Sequence, residues 1–166
     1  MIIFVSIILI SSCNINKNKI LFDSKANKEI LIGQCNRKAF KNDNFKSWYN
    51  EAYNDYKPDE TQIEKLKKST KLNHADILVI FGTWCHDSRR ELPHFYKIVD
   101  EVGSPKFNIK LIGVDTKKSS QEKSIDNIEF TRIPTFIFYE NGKEIGRIVE
   151  SVKLSLESDI LEIISK

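Results

Sequence analysis

Apolar residues recur along the chain with two different periods. Phe45, Trp48, Tyr49, Ala52, Tyr53 and Tyr56 fall at i, i+3, i+4, i+7, i+8 and i+11, which predicts one face of an amphipathic helix whose aromatic stripe packs into a core. Pro58 ends that helix. Pro58-Asp59-Glu60 then opens a second one, with Ile63 and Leu66 as a narrow apolar edge. From residue 75 the texture changes. Ile77-Leu78-Val79-Ile80-Phe81 is a continuous apolar run, as expected of a strand buried on both faces, and Gly82-Thr83 ends it. Leu92, Phe95, Val99 and Val102 then mark a helix, and residues 107–114 a second buried strand. Residues 117–129 are polar with weak periodicity and read as loop or short helix. Thr135–Tyr139 and Ile145–Val149 read as two further strands joined by a tight hairpin at Asn141-Gly142. Ser155 caps a last helix bearing Leu156, Ile160, Ile163 and Ile164.

The order from residue 75 is therefore β-α-β, a connecting segment, a β-hairpin and a final helix. The first two strands should be parallel with a right-handed crossover, and the last two antiparallel. This predicts an α/β fold with a central mixed four-stranded sheet flanked by helices, preceded by a helical extension.

The N-terminus bears on the compartment. Residues 2–10 form an apolar run broken only by Ser6. It is too short to span a bilayer and fits the apolar core of a secretory signal peptide. Ile10-Ser11-Ser12-Cys13 resembles a bacterial lipobox, in which the Cys is lipidated and becomes the new N-terminus, although no Lys or Arg precedes the apolar run. The resemblance implies a signal peptide over 1–12 and lipid attachment at Cys13. A diacyl or triacyl anchor attaches stably. It would hold the protein to a membrane outside the cytoplasm, on the periplasmic face, where disulfides persist. Residues 14–30 are rich in Asn and Lys and read as a tether, and 31–40 are ambiguous. The expected organisation is signal peptide 1–12, tether and N-terminal extension 13–44, helical extension 45–72 and a folded domain 73–166.

Composition narrows the function. The 166 residues carry 26 Lys and Arg against 23 Asp and Glu, a formal charge of +3 too small and dispersed to point to a nucleic-acid partner. Three cysteines offer no disulfide framework. No Gly-rich phosphate-binding loop is present and no cofactor is expected. His86 and His94, eight apart, cannot share one metal ion with Cys85, so no metal site is expected. His74 reads as a surface residue. Lys65, Lys67, Lys68 and Lys71 read as a solvated helix face.

The chemistry concentrates at Cys85. It follows a buried strand and begins a helix, where unpaired backbone N–H groups and the helix dipole favour the thiolate, the reactive form. Arg89 and Arg90 add positive charge, protonated His86 would do the same, and Asp87 acts against them. Phe81-Gly82-Thr83-Trp84-Cys85-His86-Asp87-Ser88 resembles the active-site turn of the thioredoxin family. Pro93 stands where that family kinks its active-site helix. Ile133-Pro134-Thr135 resembles the family's cis-proline segment, and residues 138–143 its following hairpin. The resemblance covers about residues 74–166. Together with the helical extension, it is similar to a thioredoxin-like branch common among Bacteroidetes lipoproteins. It implies a thioredoxin-like fold, a nucleophilic Cys85 shielded by Trp84, and a substrate groove at Ile133, Pro134 and Thr135 where a peptide adds as a strand.

The departures from the family pattern are as informative. Ser88 occupies the position of the second cysteine, and a hydroxyl cannot resolve a mixed disulfide. It can hydrogen-bond to the Cys85 sulfur one turn away. Val79 replaces the family's buried acid and Leu111 its lysine. Cys35 is a possible resolving thiol, or simply a buried one. The favoured reading is a monothiol enzyme that reduces, isomerises or deglutathionylates disulfides, with protein or small-molecule thiols as partners. Its rivals are a catalytically weak binding module using the same groove, and peroxide chemistry through a Cys85 sulfenic acid.

Overall fold

The computed structural model describes residues 17–69, 75–103, 107–120 and 122–165. The expected signal peptide, Cys13, His74 and Lys71 lie outside the described residues. Six strands form one sheet in the order β1-β2-β4-β3-β5-β6. They are β1 (Lys19–Asp23), β2 (Lys28–Cys35), β3 (Ala75–Phe81), β4 (Asn108–Gly113), β5 (Thr135–Glu140) and β6 (Lys143–Val149). The helices are α1 (Asp43–Asp55), α2 (Glu60–Lys68), α3 (His86–Val102) and α4 (Leu156–Ile164).

The four expected strands are the contiguous block β4-β3-β5-β6. As expected, β3 and β4 are parallel and β5 and β6 antiparallel. Two corrections follow from β1 and β2. The sheet has six strands rather than four, and the stretch read as a tether folds as an antiparallel hairpin from Lys19 onward. The hairpin is held because β2 buries Ile30, Leu31 and Ile32 completely or nearly so and continues the sheet antiparallel to β4, with Gly33 opposite Gly113. That approach is close. A Cβ on Gly113 would sit 2.5 Å from the Leu31 carbonyl oxygen. Asp23 fastens the hairpin from outside, accepting from Thr116 N at 3.0 Å as well as from the turn amides of Lys25 and Ala26.

Helix boundaries follow the capping chemistry. Asn42, Asp59 and Ser155 each accept from a backbone N–H in the first turn of α1, α2 and α4. Alternation along the strands divides the core in two. Ile77, Val79, Phe81, Leu111, Phe136 and Phe138 face the larger core, to which all four helices contribute. Leu78, Ile80, Ile112, Val114 and Ile137 face the smaller one, closed by Ile125 and Ile133 from the segment between β4 and β5. That segment, read as loop or short helix, contains a single 3-10 turn at Lys123–Ile125 among its described residues. The aromatic stripe of α1 is core, as expected. Phe45 and Tyr49 are buried, and Tyr49 stacks on Phe40 at 4.7 Å.

Candidate functional site

The strand-turn-helix unit β3-α3 presents Cys85. Phe81 ends β3 in the core, and the Cys85 N–H bonds the Gly82 carbonyl at 3.0 Å, closing a tight turn. Cys85 is the N-cap of α3, with extended backbone and no side-chain cap of its own. Its carbonyl accepts from the Arg89 N–H at 3.1 Å. Gly82 is required here by space. A Cβ would lie 2.6 Å from Trp84 Nε1 and 2.8 Å from Ile133 Cδ1. Trp84 donates from Nε1 to the Val114 carbonyl at 2.9 Å, fixing the indole across the end of β4.

The facing segment is Arg132–Thr135. The Ile133–Pro134 peptide bond is cis, as the motif leads one to expect. The Cys85 thiol donates to the Ile133 carbonyl at 3.5 Å, while the Pro134 carbonyl is taken by the Glu150 N–H at 2.7 Å. Thr135 is buried and donates from Oγ1 to the Arg132 carbonyl at 2.6 Å, which holds the turn into β5. Half-exposed Cys85 and Trp84 therefore meet buried Ile133 and Pro134 at one end of the sheet.

Ser88 is 1% exposed, and its Oγ accepts the Gly82 N–H at 3.2 Å. The hydroxyl thus ties helix to turn. His86 is 88% exposed, in solvent, 3.9 Å from Asp87 Oδ1. Asp87 bonds Arg90 at 2.9 Å, and Arg90 also reaches Glu91 at 2.7 Å, so the Arg90 charge is spent on two carboxylates. Arg89 lies instead over the Trp48 ring, 5.1 Å from its centroid. Val79 and Leu111, at the positions of the family's acid and lysine, are fully buried partners in the β3–β4 ladder.

The structure does not bring Cys35 to Cys85. Cys35 sits in β2 opposite Leu111, two strands from β3, in the larger core, whereas Cys85 packs against the smaller one. Burial pushes the Cys35 thiol up to about 12, and its Sγ donates to the Gly33 carbonyl at 3.3 Å. Two residues to which the motif assigns no role touch this region: Thr83, whose Oγ1 accepts the Leu31 N–H at 3.2 Å, and Trp48 of α1, under Arg89. Neither contact carries a local signal, because each is made with a partner far away in sequence.

A cysteine at a helix N-cap facing a cis-proline, on a sheet of mixed parallel and antiparallel strands, defines a thiol-redox class of protein. The thioredoxin family model matches residues 36–155, and the chain belongs to the thioredoxin family. A thioredoxin-like protein of Acanthamoeba polyphaga mimivirus is 29% identical over 90 residues, covering 52% of this chain and 60% of that protein. Thioredoxin-like protein 1 of Schizosaccharomyces pombe is 28% identical, covering 52% of this chain and 28% of its own length. The chain thus spans under two thirds of these relatives. The thioredoxin of Malassezia sympodialis is 24% identical, with 61% of this chain and 93% of that one covered. A protein of unknown function from Pseudomonas aeruginosa shares the fold, with TM-score 0.52 at 17% identity over 71% of this chain and 80% of its own. Family membership supports a thiol-redox role in general.

Proposed function

We propose that the chain is a membrane-anchored, extracytoplasmic monothiol protein that exchanges thiols and disulfides through Cys85. The observation that carries this reading is the half-exposed Cys85 sulfur at a helix N-cap, 3.5 Å from the Ile133 carbonyl beside cis-Pro134, with a buried serine at the second-thiol position. The Cys85 thiolate attacks one sulfur of a substrate disulfide. A bond forms between the two sulfurs and the other half leaves as a thiolate. A second thiol, from a small molecule or a partner protein, then attacks the mixed disulfide and frees Cys85. With glutathionylated substrates the same two steps amount to deglutathionylation, and with scrambled ones to isomerisation. The Ile133 backbone and Pro134 align the substrate as an added strand. The lipid at Cys13 keeps the domain at the membrane.

A second reading has its own support. Val79 and Leu111 put two sealed aliphatic side chains beneath the site where the family carries an acid and a lysine. A binding module that holds a partner in this groove needs neither charge. The deciding experiment is acid quenching of native thiols, followed by identification of what is disulfide-linked to Cys85. Mixed disulfides on the wild type and none on Cys85→Ser support the exchange reading. Partners that co-purify without a Cys85 bond support the binding module.

A further inference from the structure

Beside the nucleophile's turn, a cavity of about 360 Å³ opens between the N-terminal extension and α3. Lys28 and Glu29 of β2, Asn44 and Trp48 of α1, Thr83 of the turn and Arg89 of α3 line it. The turn before Cys85 and the first turn of α3 supply part of its wall. Thr83 is two residues before Cys85, and the Arg89 N–H bonds the Cys85 carbonyl at 3.1 Å. The charge on the wall is unbalanced. Arg90, the next residue on α3, is neutralised by Asp87 and Glu91. Arg89 and Lys28 meet no carboxylate among the described residues. The one acid on the wall, Glu29, accepts a hydrogen bond from the Asn44 side chain, so the two cations leave the wall with a net positive charge. A guanidinium stacked on an indole is positioned by the ring and keeps its planar N–H edge available for a bidentate acceptor.

We propose that this cavity is a subsite for a carboxylate carried next to the disulfide bond of the substrate, with Arg89 as its bidentate anchor and Lys28 as a second charge. The inference rests on the reading of Cys85 as nucleophile and names the substrate class for it. The carboxylate-bearing half is the one that becomes bonded to Cys85, and the other half leaves as its thiolate. Glutathione disulfide and a half-cystine flanked by an acidic residue in a protein both supply that chemistry. The N-terminal extension thereby contributes to specificity, because two of the elements that wall the cavity, β2 and α1, belong to it.

The test uses matched probe pairs on the full chain: glutathione disulfide against its carboxyl-esterified form, and a cystine peptide with Asp beside the half-cystine against the same peptide with Asn. The readout is the rate of Cys85 adduct formation by intact mass. The wild type should prefer each acidic probe about three- to fivefold, the size of one charge contact at a partly exposed site. Arg89→Gln and Lys28→Gln should bring that ratio toward one, added salt should lower it, and Lys65→Gln on the remote α2 should keep it. A preference for the acidic glutathione probe alone identifies a small-molecule source; for the peptide alone, a protein source. Equal rates with both members of each pair overturn the subsite while leaving the nucleophile intact. No adduct with any probe overturns the nucleophile reading and the subsite with it.

Discussion

Thr83 and Leu31, far apart in sequence, share a buried hydrogen bond: the Leu31 N–H donates to Thr83 Oγ1 at 3.2 Å. This joins the Cys85 turn to the N-terminal hairpin that extends the sheet. Both residues are buried, at 3% and 0% exposure, so the amide has no water to fall back on. Thr83→Val keeps the volume and removes the acceptor. Leaving one buried N–H unsatisfied costs about 1–3 kcal/mol. Urea unfolding should show that loss, and amide exchange at Leu31 should accelerate. An unchanged denaturation midpoint with unchanged Leu31 exchange would show that the hydroxyl is not what holds the turn.

Tyr56 closes α1 over a buried carboxylate. Its hydroxyl donates to Glu157 Oε2 at 2.6 Å, the Asp59 N–H donates to the other oxygen at 2.9 Å, and the ring stacks on His94 at 4.0 Å. Burial, then the Glu157 carboxylate, raises the Tyr56 phenol far above its ordinary value. Tyr56→Phe retains the stack but strips one donor from a carboxylate only 2% exposed. A hydrogen bond to a charged group contributes about 1.5–3 kcal/mol, and that loss is expected by denaturant titration. Adding Glu157→Gln should recover part of it. A Tyr56→Phe protein as stable as wild type would refute the role given to this contact.

Glu91 should contribute to acid sensitivity. Burial acts to raise its carboxyl, but the Arg90 guanidinium, bonded to it at 2.7 Å, and His94, with Nδ1 3.8 Å away, outweigh burial and hold it below its ordinary value of 4.5. A carboxyl lowered by folding contributes stability that is present above the unfolded value and lost as pH falls through the folded one. Stability should therefore decline as pH drops below about 4.5, and Glu91→Gln should be less stable at neutral pH with a shallower decline in acid. Thermal melts from about pH 3 to pH 7 provide the comparison. Parallel curves for the two proteins would contradict the assignment.

The block β4-β3-β5-β6 and all four helices were legible because each carries a local signal: the Ile77–Phe81 run, the Asn141-Gly142 turn and the aromatic stripe of α1 each point to one element. The hairpin β1-β2 was not. Its Asn and Lys content resembles a tether, and Ile30-Leu31-Ile32 is too short a run to outweigh it, although that run was the available signal. The placement of Cys85 at a helix N-cap and the facing Ile133-Pro134 were legible from local motif. The binding of Ser88 Oγ to Gly82, of Thr83 to Leu31, and the seat of Arg89 on Trp48 were not. Each depends on a neighbour supplied by the folded chain. Cys35 shows the same limit. Its burial and its distance from Cys85 in the sheet follow from the register of β2 on β4.

The proposed anchor has a direct test. Ile10-Ser11-Ser12-Cys13 motivates it. Cys13→Ala should lose metabolic lipid labelling and leave the membrane fraction. Membrane association that persists without label in this variant would rule out lipidation at Cys13 as its cause.

Ser88 decides most. If Cys85 is a nucleophile lacking only an internal resolver, Ser88→Cys should supply one. Position 88 is one turn into α3, on the side of the Gly82 turn that carries Cys85, and its side chain is already enclosed. On oxidation the variant should form an internal disulfide between Cys85 and the introduced thiol, and it should show faster dithiol-driven disulfide reduction than wild type. It gives up the bond from the Gly82 N–H to Ser88 Oγ, so a loss of about 0.5–1.5 kcal/mol in stability should accompany the gain. The rate should remain below that of a family member with a buried acid, because Val79 cannot relay the proton that the second thiol releases, and Val79→Asp in the Ser88→Cys background should close part of the gap. Wild type should accumulate mixed disulfides under the same conditions, and Cys85→Ser none. Thiol mapping by mass and a stopped assay of insulin disulfide reduction read all four proteins. If Ser88→Cys oxidises to the internal disulfide yet turns over no faster than wild type, a missing resolver is not what limits Cys85. The groove then serves to hold a partner rather than to exchange its disulfides.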